Sequence, residues 1–345
     1  MQKPIRFIDL VDTLRDPMVA EAVAVVAPDA PDAPDAAEAV EAYLLVDVHS
    51  PVPDALVDLP RPSCPVIGRA RGAFQTLPDC VDLIVESDAE CARVVAAIQA
   101  QPVAAAVLMQ VLRHNEFASV NDGLLAESLA YSTLQHSAGF QRWQQRQVLK
   151  EPAATDANLV KVQRDAQRLQ VQLNRPAKHN AYSKAMRDEL CDALTVALMD
   201  DSITHVVLTG TGPSFCAGGD LAEFGQARDA GIAHHSRVTR SAGAMLHRLG
   251  QRLGGDLQVK VQGACIGAGI ELSAFAPYIV AQANTVFQLP EVGFGLIPGA
   301  GGTVSVLQRI GRRRTAFMAL TAAKITAPQA LRWGLIDELI EPTAG

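Results

Sequence analysis

The sequence predicts an α/β fold in which a helical region separates two groups of strands. Short apolar runs rich in β-branched residues alternate with segments of helical periodicity in the second half of the chain. A smaller set of apolar runs comes earlier, and amphipathic helical segments follow it. The chain has 345 residues, 49% of them hydrophobic, which is enough to bury a large core. We therefore divide it into segments 1–87, 88–150 and 151–345.

The first segment combines a helix, a linker and three predicted strands. The sequence begins with a short amphipathic run, followed by repeated Pro-Asp-Ala at 27–39. Because such repeats cannot propagate a helix or a sheet, they predict a solvated linker. Apolar runs at 43–48, 64–70 and 80–86 have the length and composition of buried strands.

The second segment predicts helices with one face to bury. Its apolar residues recur at spacings of three and four. Predicted helix starts lie at Asp88, at Pro102, after Asn121-Asp122-Gly123 and after Ser137.

The third segment alternates strands with helices, which is typical of an α/β fold. Six strands are predicted at 159–164, 168–174, 204–210, 257–263, 278–282 and 335–341. Helices are predicted at 183–198, about 236–252, 269–275, 301–310 and 313–320.

Charge and cysteine usage disfavour several classes of protein. The net charge is −7 and the basic residues are scattered, so neither a nucleic acid nor a membrane surface is an expected partner. No apolar run approaches the roughly 20 residues that span a bilayer. The six cysteines lie far apart without a metal-binding spacing, which indicates buried free thiols and no metal. These features, with early charges that disfavour a secretory signal, predict a cytoplasmic protein.

The segment VVLTGTGPSFCAGGDL, residues 206–221, is the first with chemical content. A predicted buried strand ends in a loop where Gly218 and Gly219 leave their backbone N–H groups accessible. Such groups can stabilise an oxyanion, although a simple tight turn before a helix has the same pattern.

Two glutamates follow in apolar surroundings. Glu271 falls in the first turn of a predicted helix, where it either complements the helix dipole or performs chemistry. The glycines before it do not form a dinucleotide-binding or P-loop pattern. Glu291 comes after a strand-like run and Pro290, and it is either a surface turn residue or a buried carboxylate with a task.

These segments, in this order, resemble the enoyl-CoA hydratase/isomerase (crotonase) superfamily. The resemblance is carried by FCAGGDL, GACIGAGIEL and FQLPEVGFGLIPGAGG. LNRPAKHNAYS at 173–183 resembles the early motif of that family, and 311–342 resembles its later helix and closing strand. Together the similar segments cover about 152–342.

The resemblance implies a crotonase-like spiral of ββα turns that binds a CoA thioester. It places the thioester oxygen between the backbone N–H groups of Gly219 and Ala268, which form an oxyanion hole. Glu271 and Glu291 match the two catalytic glutamates that add water to a 2-enoyl-CoA. This chemistry requires no cofactor apart from the CoA of the substrate.

Further expectations come from the same resemblance. Lys178, Asn180, Ala181 and Ala217 are expected near the CoA moiety, and a homotrimer or hexamer is expected. Isomerase, hydrolase or ring-cleaving activity on a CoA ester remains open, as does a non-catalytic acyl-CoA-binding subunit.

The sequence departs from the family pattern in several places. Ala276-Pro277 replaces the usual Cys-Asp, and Lys260 lies in a strand that is normally small and apolar. Helices that normally follow the closing strand are not found after residue 341, but 80–113 and 139–147 resemble that closing strand and those helices.

This arrangement suggests a degenerate half-copy with a helical region, followed by a second copy that lacks its tail. The helices of the first copy would then cover the spiral of the second, within one chain or between neighbours. An unrelated helical domain is the alternative.

Overall fold

The N-terminal part of the chain forms a small parallel sheet. The computed structural model describes residues 4–15, 42–56, 59, 61–74, 77–147, 158–226 and 229–341. Among these residues, the N-terminal part contains helix α1 (Phe7–Arg15) and the strands β1 (Leu44–Asp47), β2 (Val66–Arg69) and β3 (Leu83–Val85), which pair in that order in parallel. The three strands predicted before residue 87 are confirmed. The Pro-Asp-Ala stretch lies outside the described residues.

The described part of the second segment, residues 88–147, contains four helices, as predicted. They are α2 (Asp88–Ala100), α3 (Pro102–Asn115), α4 (Val120–Leu134) and α5 (Ala138–Gln145). Two predicted starts were slightly wrong, because serines rather than acidic residues provide the caps. Ser87 Oγ accepts the Glu90 N–H, so Ser87 and not Asp88 caps α2. Ser119 caps α4 in the same way, which places Gly123 inside that helix.

The third segment contains the remaining elements. Its first part comprises β4 (Val160–Asp165), β5 (Arg168–Leu173), α6 (Lys184–Met199), β6 (His205–Gly210), α7 (Ala230–Thr239) and α8 (Ala242–Leu253). The single helix predicted at about 236–252 was wrong. Two helices occupy this region, because Ser241 leaves helical geometry and caps α8 through the Ala244 N–H.

The last part of the chain completes the spiral. It comprises β7 (Leu257–Val261), β8 (Ala264–Ile266), α9 (Ala268–Ser273), β9 (Tyr278–Gln282), β10 (Val286–Gln288), α10 (Gly302–Thr321), β11 (Ile325–Thr326), α11 (Ala327–Trp333) and β12 (Glu338–Ile340). The two helices predicted at 301–310 and 313–320 are one element with a break at Gly311, where φ is 75°.

Two sheets organise this spiral. The larger has the order β12-β9-β7-β6-β5-β4 and is parallel except for the β4–β5 hairpin, and the smaller has the order β11-β10-β8. Strands β7 and β9 lie in the larger sheet, while their successors β8 and β10 lie in the smaller one and lead toward α9 and α10. The predicted α/β class and its ββα turns are confirmed.

The N-terminal half packs on the spiral within the same chain. One continuous hydrophobic core contains Ile67 of β2, Leu108 of α3 and Phe287 of β10. A buried ionic cluster adds to this contact: Asp82 accepts hydrogen bonds from the guanidinium groups of Arg113 and Arg312. Packing in cis is therefore built into the fold, and the origin of residues 1–150 as a half-copy stays a prediction.

All six cysteines are buried and free, as predicted. No single helix among the described residues is long and apolar enough to span a membrane. Helices α2 and α3 together have the length and apolar composition of a membrane span, but their axes are bent by 107° relative to each other.

Candidate active site

A cavity of about 360 Å³ lies between α4, α8 and the turn before α10. Its wall includes Glu271, Glu291, Gly219 and Ala268. The structure therefore brings together both glutamates and both backbone N–H donors that were predicted from the sequence.

Glu271 is placed by the short helix α9. The residue is 2% exposed, and its Oε2 accepts hydrogen bonds from Ala300 N–H at 2.7 Å and Gly302 N–H at 2.9 Å. Burial raises the pKa of Glu271 to about 7, and the backbone donors oppose that rise. Glu271 is therefore a held carboxylate that can exchange a proton near neutral pH.

Glu291 begins a short turn after β10. Its side chain is buried, and Oε2 has no hydrogen-bond partner among the described residues. Burial, followed by the charge of Glu271, raises the pKa of Glu291 well above its usual value. Gly267 lies against this carboxylate, since a Cβ there would approach Oε1 to 2.5 Å. Glu291 is thus favoured in the protonated form, with an oxygen free for a ligand.

The two proposed oxyanion donors, Gly219 in a loop and Ala268 at the start of α9, line the same cavity as these carboxylates. Among the described residues, neither Gly219 N–H nor Ala268 N–H donates a hydrogen bond to another group. Ala268 is the first residue of α9, where helix geometry leaves N–H groups unpaired. The preceding residues Gly218 and Gly267 have φ values of +98° and +50°, which favour glycine. Both amides are available to a ligand oxygen.

A third buried carboxylate, Glu127 of α4, was missed by the sequence analysis. It is 2% exposed and lines the same cavity. Oε1 accepts the Gly301 N–H at 2.7 Å, and Oε2 accepts both the N–H of Thr303 at 2.9 Å and its hydroxyl at 2.7 Å. Burial and the charge of Glu271 raise the pKa of Glu127 to about 8. In the sequence, Glu127 is an acidic residue within a largely apolar helical segment. Acidic residues of exposed helices have the same local pattern.

The residues expected to contact CoA lie near one another but do not line this cavity. Lys178 is exposed, and the backbone of Ala181 and Ala217 turns beside it, with Ala181 N–H donating to Lys178 O at 3.0 Å. Asn180 is fully buried, and its side-chain amide donates to three backbone carbonyls, of Thr211, Ser214 and Phe215. The Asn180 side chain therefore shapes the loop, and CoA binding by this group stays a prediction.

Other side chains near the site have defined environments as well. His234 is partly buried, and its Nδ1 lies 2.9 Å from Ser128 Oγ. Cys216 is a packed thiol whose pKa is raised to about 12 by burial, as expected for a residue without a nucleophilic task. Lys260, Ala276 and Pro277, where the sequence departs from the family pattern, do not line the cavity.

Comparison with known proteins gives one family. The family model described as Enoyl-CoA hydratase/isomerase matches residues 164–343. The chain is 36% identical over 178 residues to the 2,3-dehydroadipyl-CoA hydratase of Escherichia coli (strain K12), which covers 52% of this chain and 68% of that protein. It is 34% identical over 169 residues to the mevalonyl-coenzyme A hydratase sidH of Aspergillus fumigatus, which covers 49% of this chain and 61% of that protein.

A solved structure is similar as well. The enoyl-CoA hydratase of Thermoplasma volcanium GSS1 is 28% identical with a TM-score of 0.47, and the match covers 54% of this chain and 73% of that one. The chain thus spans about three fifths to two thirds of the two curated relatives named above.

Proposed function

This chain belongs to the enoyl-CoA hydratase/isomerase family, and on that premise we propose that it adds water to the double bond of a 2-enoyl-CoA thioester. One observation carries the proposal: two buried carboxylates, Glu271 and Glu291, line the same cavity as two backbone amides without acceptors.

The amides supply anion stabilisation. In the proposed complex the thioester oxygen accepts hydrogen bonds from Gly219 N–H and Ala268 N–H. Attack of water at the β-carbon moves the π electrons toward that oxygen, so an enolate develops between the two donors. Fixed donors in a site shielded from water stabilise such a charge strongly, and no metal is required for this step.

The two glutamates take different roles because their partners differ. Glu271, held by two N–H donors, is the base that removes a proton from the attacking water. Glu291, whose raised pKa favours the carboxylic acid, donates its proton to the α-carbon. One water is added in total. Glu271 then releases its proton and Glu291 regains one through solvent, which closes the cycle.

The test follows the loss of the conjugated thioester absorbance of crotonyl-CoA. We expect turnover by the wild-type protein and a decrease in kcat of about 10²- to 10⁴-fold in both E271Q and E291Q, with CoA-ester binding retained. The exposed Glu338 of β12 provides a matched control, since E338Q should keep full activity. Binding without turnover by the wild type, or full turnover by either active-site variant, would contradict the proposal.

The wider expectations belong to the same proposal. We propose a homotrimer or hexamer in the cytoplasm, with CoA bound beside Lys178, Asn180, Ala181 and Ala217, as the family resemblance implies.

A further inference from the structure

The cavity with the carboxylates continues into a second cavity of about 560 Å³. Three basic residues, Lys184, Arg187 and Arg237, line both cavities, and Glu223 is the only acidic one to do so among the residues that the structure describes. The junction of the two cavities is therefore rich in positive charge.

Arg237 of α7 is held in place at this junction by neutral groups. Its guanidinium lies 4.7 Å from the centre of the Tyr131 ring, and Nε donates to Ser128 Oγ at 3.2 Å. Nη2 donates to Ser132 Oγ. None of the described carboxylates forms an ion pair with Arg237. The carboxylate of Glu127 acts on it at longer range, but both oxygens of Glu127 are already bonded to Gly301 and Thr303.

The carboxylates nearby do not neutralise the charge of Arg237, because other arginines pair with them. Arg187 pairs with Asp188 at 2.9 Å, and Arg240 shares Asp188 and also pairs with Asp192. Burial lowers the pKa of Arg237, and the nearby charge of Arg187 lowers it further. A half-buried guanidinium without a counter-ion is costly, so a bound anion would stabilise it.

The position of Tyr131 relates Arg237 to the reacting end of the cavity. The Tyr131 ring packs on Gly299, where an added Cβ would lie 2.4 Å from the ring. The next residue, Ala300, donates its N–H to Glu271. One aromatic ring therefore separates the guanidinium from the turn that holds the proposed base. CoA phosphates are many bonds from the thioester carbon, whereas the end of a short acyl chain is close to it.

We propose that this protein acts on a 2-enoyl-CoA whose acyl chain ends in a carboxylate, which Arg237 binds. The inference rests on the proposed hydratase function and specifies its substrate class.

The experiment compares two six-carbon substrates that differ in one group. These are 2-hexenoyl-CoA, in which C6 is a methyl group, and 2-hexenedioyl-CoA, in which C6 is a carboxylate. We expect the wild-type protein to have the higher kcat/KM for 2-hexenedioyl-CoA. The R237M variant should lose about 10- to 100-fold in kcat/KM for that substrate, as expected for a charge-assisted hydrogen bond, and change less than about threefold for 2-hexenoyl-CoA.

Arg240 offers the matched control because it lines the first cavity but is already paired with acids. R240M should not change the ratio of the two kcat/KM values. Equal losses for both substrates in R237M would indicate that Arg237 binds CoA phosphates or only supports the fold, and would overturn the inference. A wild-type preference for 2-hexenoyl-CoA would overturn it too.

Failure of the hydratase proposal is distinguishable. If neither substrate turns over, calorimetry with adipyl-CoA and hexanoyl-CoA still measures whether the wild-type protein prefers the acyl chain with a terminal carboxylate. Equal affinities would refute the carboxylate site. The same measurement applies if R237M does not fold, since it needs only the wild-type protein.

Discussion

At the residue scale, three buried glutamates differ by what surrounds their oxygens. Glu271 accepts two backbone N–H groups, Glu127 accepts two N–H groups and a hydroxyl, and Glu291 leaves one oxygen without a partner. All three side chains are buried, but their oxygens have different hydrogen-bond partners. Two carboxylates are held in place, and the third is open to a ligand.

These environments predict how stability depends on pH. The pKa values of Glu271 and Glu127 rise from 4.5 to about 7 and about 8. The unfolded chain therefore loses these protons at lower pH than the folded chain does. Stability is then greatest below about pH 4.5 as far as these groups are concerned, and it falls as pH rises through about 7 to 8.

We expect the wild-type Tm to decrease as the pH rises from about 4.5 to about 8. The E271Q variant should show a smaller decrease, because the amide does not ionise. Differential scanning calorimetry across the pH range measures both. E338Q, which alters an exposed carboxylate, should follow the wild type. A wild-type Tm that rises over the interval would contradict this assignment.

At the element scale, the turn before α10 joins the N-terminal half to the catalytic residue. Glu271 of α9 accepts N–H groups from Ala300 and Gly302, and Glu127 of α4 accepts them from Gly301 and Thr303. The two carboxylates thus bind alternate amides of one helix N-terminus. Negative groups are favoured there because those N–H groups have no partner within the helix.

Removal of Glu127 should therefore affect both stability and catalysis. We expect E127A to lower the free energy of unfolding by about 1–3 kcal/mol, since buried donors lose their acceptor. The loosened turn should also lower kcat, by up to about 10²-fold, because it misplaces Glu271. Urea unfolding and the crotonyl-CoA assay measure the two effects.

The control for Glu127 lies on the same helix. Leu129 is 51% exposed, so L129A should change neither quantity strongly. A variant E127A with reduced stability but the kcat of the wild type would show that the turn does not position Glu271.

At the scale of the whole molecule, buried charges link the two halves of the chain. Asp82 precedes β3 and is fully buried, where it pairs with Arg113 of α3 at 2.5 Å and Arg312 of α10 at 2.8 Å. Arg312 also contacts Glu116 at 2.8 Å. The first strand group, the helical region and the spiral therefore meet at one carboxylate.

We expect D82N to lower the free energy of unfolding by about 3–5 kcal/mol, because it leaves two buried guanidinium groups without their main counter-charge. Chemical denaturation measures this loss. Asp201 makes an exposed pair with Arg252 and is itself 97% exposed, so D201N should cost at most about 1 kcal/mol. Similar losses in the two variants would indicate that the Asp82 cluster does not hold the halves together.

The amino-acid sequence by itself determined most of the secondary structure and half of the site. Strand and helix periodicity, the cap that Ser183 provides for α6 and the glycines around Glu271 act over a few residues, so they can be read locally. The break of α10 at Gly311 can also be read locally, because glycine adopts the positive φ found there. The boundary between α7 and α8 is marked by the cap residue Ser241, and it was missed because serine also occurs inside helices.

Only the tertiary structure decided which side chains from distant segments complete the cavity. Glu127 reaches a partner 174 residues away, and Arg237 meets Tyr131 and Ser128 of α4 across a gap of more than a hundred residues. A buried acid or arginine has the same local sequence pattern as an exposed one. Its burial, pKa and partners depend on how helices from both halves pack, which no local periodicity specifies.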